Sequence, residues 1–137
     1  MEEFQYRENL KQRTKQFALR VIKLYQSLPK TIESQVIGRQ ILDSSSSVAA
    51  NYRAACRARS NAEFYSKICI VVEETDETMF WLEMLLEAGI VDKDLLQNLY
   101  QENEEILKIM VVARKNSQKK KIDEKEQKKK AKELMRK

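Results

Sequence analysis

Residues suited to a protein core recur at steps of three and four along the first part of the chain. They are Leu10, Thr14, Phe17, Val21, Leu24 and Leu28. This spacing places them on one face of an α-helix and predicts a helix from about Phe4 to Ser27. Pro29 disfavours helical geometry in the residue before it, so the helix is expected to end there. Thr31 or Ser34 can then cap a second helix by accepting a backbone N–H bond.

The second helical pattern extends to about Arg57, and small residues dominate its middle. Its predicted buried positions are Ile37, Ile41, Ser45, Val48, Tyr52 and Cys56. A serine run from Ser44 to Ser47, followed by Ala49 and Ala50, fills the centre of the helix. Small side chains allow a neighbouring helix to approach closely. We therefore expect a close helix contact at this point.

A third helix is predicted to begin at a capping box, Ser60-Asn61-Ala62-Glu63. In a capping box the serine side chain accepts a hydrogen bond from the backbone N–H three residues later, and the glutamate side chain accepts one from the backbone N–H of the serine. Its predicted core face is Phe64, Ile68, Val71, Val72, Thr75, Met79, Leu82 and Leu86. Gly89 can supply the left-handed conformation that ends a helix.

Asp92 or Asp94 opens a fourth helix, which the pattern carries to about Arg114. Its predicted core face is Leu95, Leu99, Tyr100, Ile106, Leu107, Met110 and Val111. Four helices with short connections predict an all-α, up-down four-helix bundle.

Composition and charge divide the chain into a bundle at residues 1–116 and a lysine-rich C-terminal tail at 117–137. Two glycines, one proline and a 42% hydrophobic content agree with one all-helical domain. Residues 114–137 carry 12 basic against 4 acidic residues, so the positive charge is concentrated there. With few apolar positions, the tail is predicted to be disordered or a frayed helical extension.

The chain lacks residues that several classes of functional site need. The chain has no histidine, and Cys56 and Cys69 are not at metal-ligand spacing, so we expect no metal, no cofactor and no enzyme activity. The acids Glu73 and Asp76 point away from the predicted core, unlike the ligands of di-metal bundles. The sequence shows neither a signal peptide nor an apolar run of about 20 residues, so a cytoplasmic protein without membrane contact is expected.

A basic surface is predicted on the outer side of the second helix. Arg39, Arg53 and Arg57 share one stripe on a helical wheel. Arg59 and Lys67 can extend this surface, which suits phosphate oxygens. The alternatives are a solvated face or pairing with acids of a neighbouring subunit. Further cations of the tail that can add attraction to nucleic acid are Lys119, Lys120 and Lys121.

A second surface is predicted on the third helix, where apolar residues fall far from the core face. They are Cys69, Ile70, Phe80 and Trp81. Exposed aromatic clusters of this kind mark protein interfaces. Homo-oligomerisation is one interpretation, and deeper burial of this helix within its own bundle is the other.

The segment from residue 36 to 91 resembles the four-helix-bundle proteins encoded in intervening sequences of bacterial 23S rRNA genes. The motifs that carry the resemblance are GRQIL with the serine run, ANYRAACRARS, AEFYSK, EETDETMFWLE and EAG. The resemblance implies a left-handed bundle that assembles as a ring, expected to be a pentamer, without established enzyme activity. More distantly, the chain is similar to the accessory protein of diversity-generating retroelements, which binds nucleic acid and a reverse transcriptase.

Two functional hypotheses follow. In the first, an oligomer repeats the arginine stripe and the lysine tails and binds RNA or DNA. In the second, the protein is an interaction scaffold, for example for a reverse transcriptase or another protein partner. Its arginines would then pair with acids of the third helix between subunits.

Overall fold

Four α-helices build the protein in the computed structural model, which describes residues 2–136. They are α1 (Glu2–Ser27), α2 (Ile32–Cys56), α3 (Asn61–Glu87) and α4 (Lys93–Arg136). No strand occurs within residues 2–136. The predicted all-α, four-helix fold is confirmed.

Helices that follow one another in the sequence are also neighbours in space. The contact between α2 and α3 is the most extensive, and α4 closes the bundle through a much smaller contact with α1. α1 lies diagonally opposite α3, and α2 lies opposite α4. The apolar core therefore lies between four helices, each antiparallel to its neighbours. The smallest contact between neighbouring helices is the one between α1 and α4.

Local hydrogen bonds explain where the helices begin and end. The Thr31 hydroxyl accepts a bond from the Ser34 amide at 3.4 Å, and the Ser60 hydroxyl accepts one from the Glu63 amide at 3.1 Å. The Glu63 carboxylate in turn accepts from the Arg59 amide at 3.4 Å, one residue earlier than a standard capping box. Gly89 has a φ of 69°, and its left-handed conformation follows the end of α3.

Gly38 permits the close approach of α1 and α2. A Cβ atom at this position would lie 2.6 Å from Tyr25 Cδ2 and 2.8 Å from Leu28 Cδ1. These distances are shorter than any ordinary carbon contact. This close approach thus depends on a glycine that lies six positions before the start of the serine run.

The core face of α4 differs from the prediction at its first position. Leu95 is 77% exposed, whereas Leu96 is 1% exposed and belongs to the core. The buried positions of this helix are Leu96, Leu99, Asn103, Ile106, Met110 and Ser117. The prediction of Leu95 was wrong because the buried face includes the polar Asn103, which apolar periodicity does not count. Val111, also predicted as core, is 38% exposed.

Hydrogen bonds between helices satisfy the buried polar groups. Asn103 Nδ2 donates to the Thr75 carbonyl oxygen at 3.0 Å, and the Thr78 hydroxyl is 2.7 Å from the Ser44 hydroxyl. Within the described part of the chain, every fully buried side-chain nitrogen and oxygen has a hydrogen-bond partner. These bonds fix α3 against both of its neighbours, because an unpaired buried group would be costly.

An ion pair joins α1 to α4 across their small contact. Arg13 donates to both carboxylate oxygens of Glu102, at 2.8 and 2.7 Å, and also contacts Glu105. The hydrogen bonds from Arg13 lower the pKa of Glu102, although partial burial opposes this. The two-point contact therefore favours one alignment of α1 on α4.

The last part of α4 continues as helix beyond the bundle. Ser117 is still buried, and its hydroxyl donates to Asn61 Oδ1 at 2.9 Å, while Asn61 Nδ2 donates to the Ser117 carbonyl at 3.0 Å. Every side chain from 118 to 136 is exposed. We call residues 118–136 the α4 extension; at 1.5 Å per residue it is about 28 Å long. The predicted basic tail is thus helical to Arg136.

Candidate nucleic-acid interface

The arginine stripe of α2 faces outward, as its helical spacing predicts. Arg39, Arg53 and Arg57 are exposed, and none of them forms an ion pair with any residue between 2 and 136. Arg53 and Arg57 are one helical turn apart. Arg39 precedes Arg53 by fourteen positions, which is about 21 Å along a helix. Only Arg53 and Arg57 can therefore contact one short ligand segment together.

The other predicted cations cluster at the end of the bundle where α2 ends and α3 begins. Arg59 is exposed in the α2–α3 connection, with its Nε atom 4.0 Å from Glu63 Oε2. Lys67 is half-buried on α3. Lys121 lies with its Nζ atom 4.9 Å from the centre of the Tyr65 ring. Two further lysines, Lys119 and Lys120, are exposed on the same turn of α4.

The antiparallel arrangement brings these cations together because the Asn61–Ser117 hydrogen bonds hold α4 beside the start of α3. Residues 46–60 contain three arginines and no acidic residue. The α4 extension adds 9 basic and 4 acidic residues. We call this part of the molecule, formed by 46–60, the start of α3 and the α4 extension, the basic end.

The opposite half of α3 is acidic. Residues 73–87 contain six acidic residues and no basic one. Partial burial raises the pKa of Glu74, and the nearby carboxylates of Glu77, Glu73 and Asp43 raise it further. The bundle is therefore polarised along its axis, with positive charge where α2 ends and negative charge where α3 ends. A helical wheel cannot show this separation of charge, because it superimposes residues that are far apart along the helix axis.

The acidic, cysteine and serine side chains of residues 2–136 have the following surroundings. Within residues 2–136, no three acidic, cysteine or histidine side chains are placed to hold a metal ion. Ser44 and Ser45 are buried and lie within hydrogen-bonding distance of carbonyl oxygens of their own helix. Burial raises the pKa of the Cys56 thiol, which disfavours the reactive thiolate. Ser44 and Ser45 thus pack within the bundle, and Cys56 is partly buried beside it.

The predicted oligomer surface on α3 is partly covered by its own bundle. Cys69, Ile70 and Trp81 are half-buried, and Trp81 packs against the core. Phe80 remains 50% exposed, with its ring centre 4.9 Å from that of Trp81 in an edge-to-face arrangement. Met84, which sequence reasoning did not include, is also exposed. We call Ile70, Phe80, Trp81 and Met84 the α3 outer patch.

No helix within residues 2–136 is both long enough and apolar enough to cross a membrane.

Comparison with known proteins assigns the chain to a family. Residues 8–112 match the family model described as 23S rRNA-intervening sequence protein. A crystal structure of a protein of unknown function from the S23 ribosomal protein family of Bacteroides thetaiotaomicron is similar, with a TM-score of 0.74 and 31% identity. The alignment covers 80% of this chain and 97% of that one.

Among curated proteins, none matches the chain. The family description and the crystal structure named above do not mention a retroelement accessory protein, so that more distant similarity stays a prediction. The family match covers most of the bundle, from the second turn of α1 to the middle of α4. The chain therefore belongs to the family of 23S rRNA-intervening sequence proteins.

Proposed function

We propose that this chain is a non-enzymatic, oligomeric protein that binds RNA or another nucleic acid through its basic end. The observation that carries the proposal is the pair Arg53 and Arg57, which are exposed and without ion-pair partners within residues 2–136. A guanidinium group donates several hydrogen bonds in a fixed planar geometry that matches phosphate oxygens. Two neighbouring arginines on a rigid helix can therefore bind phosphate groups together.

The basic end combines two kinds of contact with a phosphate backbone. The guanidinium groups of Arg53 and Arg57 are held one helical turn apart and can fix the position of the ligand. The lysines of the α4 extension are exposed on a long helix and would act by releasing counterions. Binding of this kind is strongly weakened by salt.

Assembly would repeat this surface. The α3 outer patch presents a half-exposed aromatic pair, which is the type of residue that anchors protein interfaces. A homo-oligomer, expected to be a pentamer from the family resemblance, would offer several basic ends to one ligand. Simultaneous binding raises the apparent affinity without any new type of contact.

The charge polarity of the bundle favours a second candidate function. The basic residues 46–60 and the acidic residues 73–87 are complementary, so the basic end of one subunit could pair with the acidic half of another. In that case the arginines would build a protein scaffold and would be covered in the assembly. Glu73, Asp76 and Glu77 are the partners expected for Arg53 and Arg57.

The test replaces Arg53 and Arg57 with glutamate in the full chain. We expect binding of a labelled single-stranded RNA of about 12 nucleotides to weaken by about two orders of magnitude, with a smaller salt dependence. The matched control is the double variant Lys15→Glu, Lys23→Glu, which makes the same charge change at two exposed positions of α1.

Light scattering and circular dichroism accompany the binding measurements. If R53E/R57E disassembles the oligomer and leaves RNA affinity per subunit unchanged, the scaffold function is correct. Equal loss of affinity in the K15E/K23E control would show that binding follows net charge alone and would contradict a specific basic end.

A further inference from the structure

An open groove lies at the basic end, between the first turns of α1 and the middle of α4. Its volume is about 780 Å³, which is in the range of sites that hold small organic groups. Tyr6 and Leu10 of α1 line one side, and Ile109 and Val112 of α4 line the other. The end of α2 and the start of α3 also line it. α1 and α4 make the smallest contact of the four neighbouring helix pairs, and the groove lies between them.

Three aromatic residues line the groove and differ in how far they are exposed. Tyr52 is buried at its base, Phe64 is half-buried, and Tyr6 is 56% exposed at its mouth. The Arg7 guanidinium lies over the Phe64 ring, with 4.8 Å between its central carbon and the ring centre. The Tyr6 ring is therefore the exposed aromatic surface of the groove, whereas Arg7 and the core cover the Phe64 ring.

The rim of the groove is positively charged. Its cations are Arg7, Arg59, Lys108 and Lys120, and Glu3 is the acid that lines it. Arg7 is bonded to Glu3 at 3.2 Å, and Lys108 is 3.6 Å from Glu104, whereas Lys120 forms no ion pair within residues 2–136. Arg59 joins the rim directly to the Arg53–Arg57 surface of α2. A ligand that satisfies this rim carries negative charge outside and an apolar ring inside.

We propose that this groove takes unpaired bases of a single-stranded nucleic acid, stacked on the exposed ring of Tyr6, while its phosphates contact the rim. Aromatic rings in a positively charged groove are the usual means of binding single strands, because every base has a flat face. Duplex bases are already stacked inside the helix and cannot enter. This inference rests on the proposed function and adds that the bound nucleic acid is single-stranded.

The test uses two adjacent valines of α4. Val112 lines the groove and is 56% exposed, whereas Val111 does not line the groove and is 38% exposed. Val112→Glu places a carboxylate in the groove, and Val111→Glu makes the same charge change one position away on another face of the helix. We expect V112E to weaken binding of the single-stranded RNA by tenfold or more relative to V111E.

A second variant, Tyr6→Ala, removes a ring from the mouth of the groove and leaves the charge unchanged. It should weaken single-strand binding by about tenfold and leave binding of a duplex of the same sequence unchanged. This variant also supports the test if V112E lowers the stability of the bundle, which thermal unfolding would show.

The outcomes separate this inference from the proposed function. If RNA binding depends on Arg53 and Arg57 but V112E behaves like V111E, the groove assignment is wrong and the proposed function stands. If the unmodified protein binds neither the single-stranded RNA nor a single-stranded DNA of the same sequence, both are wrong. If V112E lowers the oligomer mass in light scattering and not the RNA affinity, the groove receives a second copy of the chain instead of a base.

Discussion

At the scale of single residues, the missing side chain of Gly38 leaves room for Tyr25 and Leu28 of the neighbouring segment. Alanine at this position should lower the free energy of unfolding by about 1–2 kcal/mol, because its Cβ overlaps Tyr25 and Leu28. The better helix propensity of alanine offsets part of this loss. Urea unfolding measures the change, with Ser46→Ala as a control at an exposed position of α2. A G38A variant that is more stable than the unmodified protein by about 1 kcal/mol, the full gain in helix propensity, would show that Tyr25 moves aside without cost.

The ion pair between Arg13 and Glu102 gives a pH-dependent contribution to stability. The pKa of Glu102 is lowered in the folded state, so its contribution is complete above the unfolded carboxyl pKa of about 4.3 and is lost as pH falls through the folded value. Glu102→Gln should lower stability by about 1 kcal/mol at pH 7.

The difference between Glu102→Gln and the unmodified protein should shrink below about pH 4. Denaturant unfolding at several pH values provides the measurement. Lys15→Gln, at an exposed position of α1, should show little change at any pH. A difference between E102Q and the unmodified protein that persists at low pH would mean that Glu102 contributes by packing and not by its charge.

At the scale of helices, the starts of α2 and α3 and the end of α3 were predictable, whereas the rotation of α4 and its continuation to Arg136 were not. Thr31, Ser60 and Gly89 act through bonds to residues a few positions away, so the sequence contains all the information. The burial of Leu96 in place of Leu95 depends on the position of α3, to which Asn103 is hydrogen-bonded. Apolar periodicity treats a buried asparagine as a surface residue and therefore shifts the predicted face.

The α4 extension should contribute to binding and not to the stability of the bundle. Deleting 118–137 should leave the thermal midpoint nearly unchanged, because the described side chains of this segment, 118–136, are exposed. RNA affinity should fall for all sequences alike, and its salt dependence should become weaker. Ser117→Ala in the full chain is the converse control, since it removes a bond to Asn61 and should lower stability by about 1 kcal/mol. A large loss of stability on deletion would show that the α4 extension also stabilises the bundle, contrary to this prediction.

At the scale of the whole molecule, the basic surface could be found in part from the sequence. The spacing of Arg53 and Arg57 predicts a shared outer face, and both are exposed. The groove could not be found, because Tyr6, Phe64 and Val112 come from three helices and meet only after the bundle closes. The same holds for the charge polarity, which depends on the antiparallel order of the helices.

Assembly through the α3 outer patch predicts a homo-oligomer at micromolar concentrations in light scattering. Phe80→Ala should weaken the association by about 2 kcal/mol if this ring is an interface anchor. Ile122→Ala is the control, because Ile122 is similarly exposed but lies on the α4 extension. A monomer mass for the unmodified protein, or equal effects of the two variants, would contradict this assignment.

Trp81 is the only tryptophan in the chain. It lies in the α3 outer patch, seventeen positions and therefore about 25 Å along α3 from Phe64 in the groove. Its indole emission should shift to shorter wavelength when a neighbouring subunit excludes water, and it should respond little to RNA at the far end of the bundle. Unlabelled protein thus carries a fluorescent reporter of assembly that is spatially separated from the proposed ligand site.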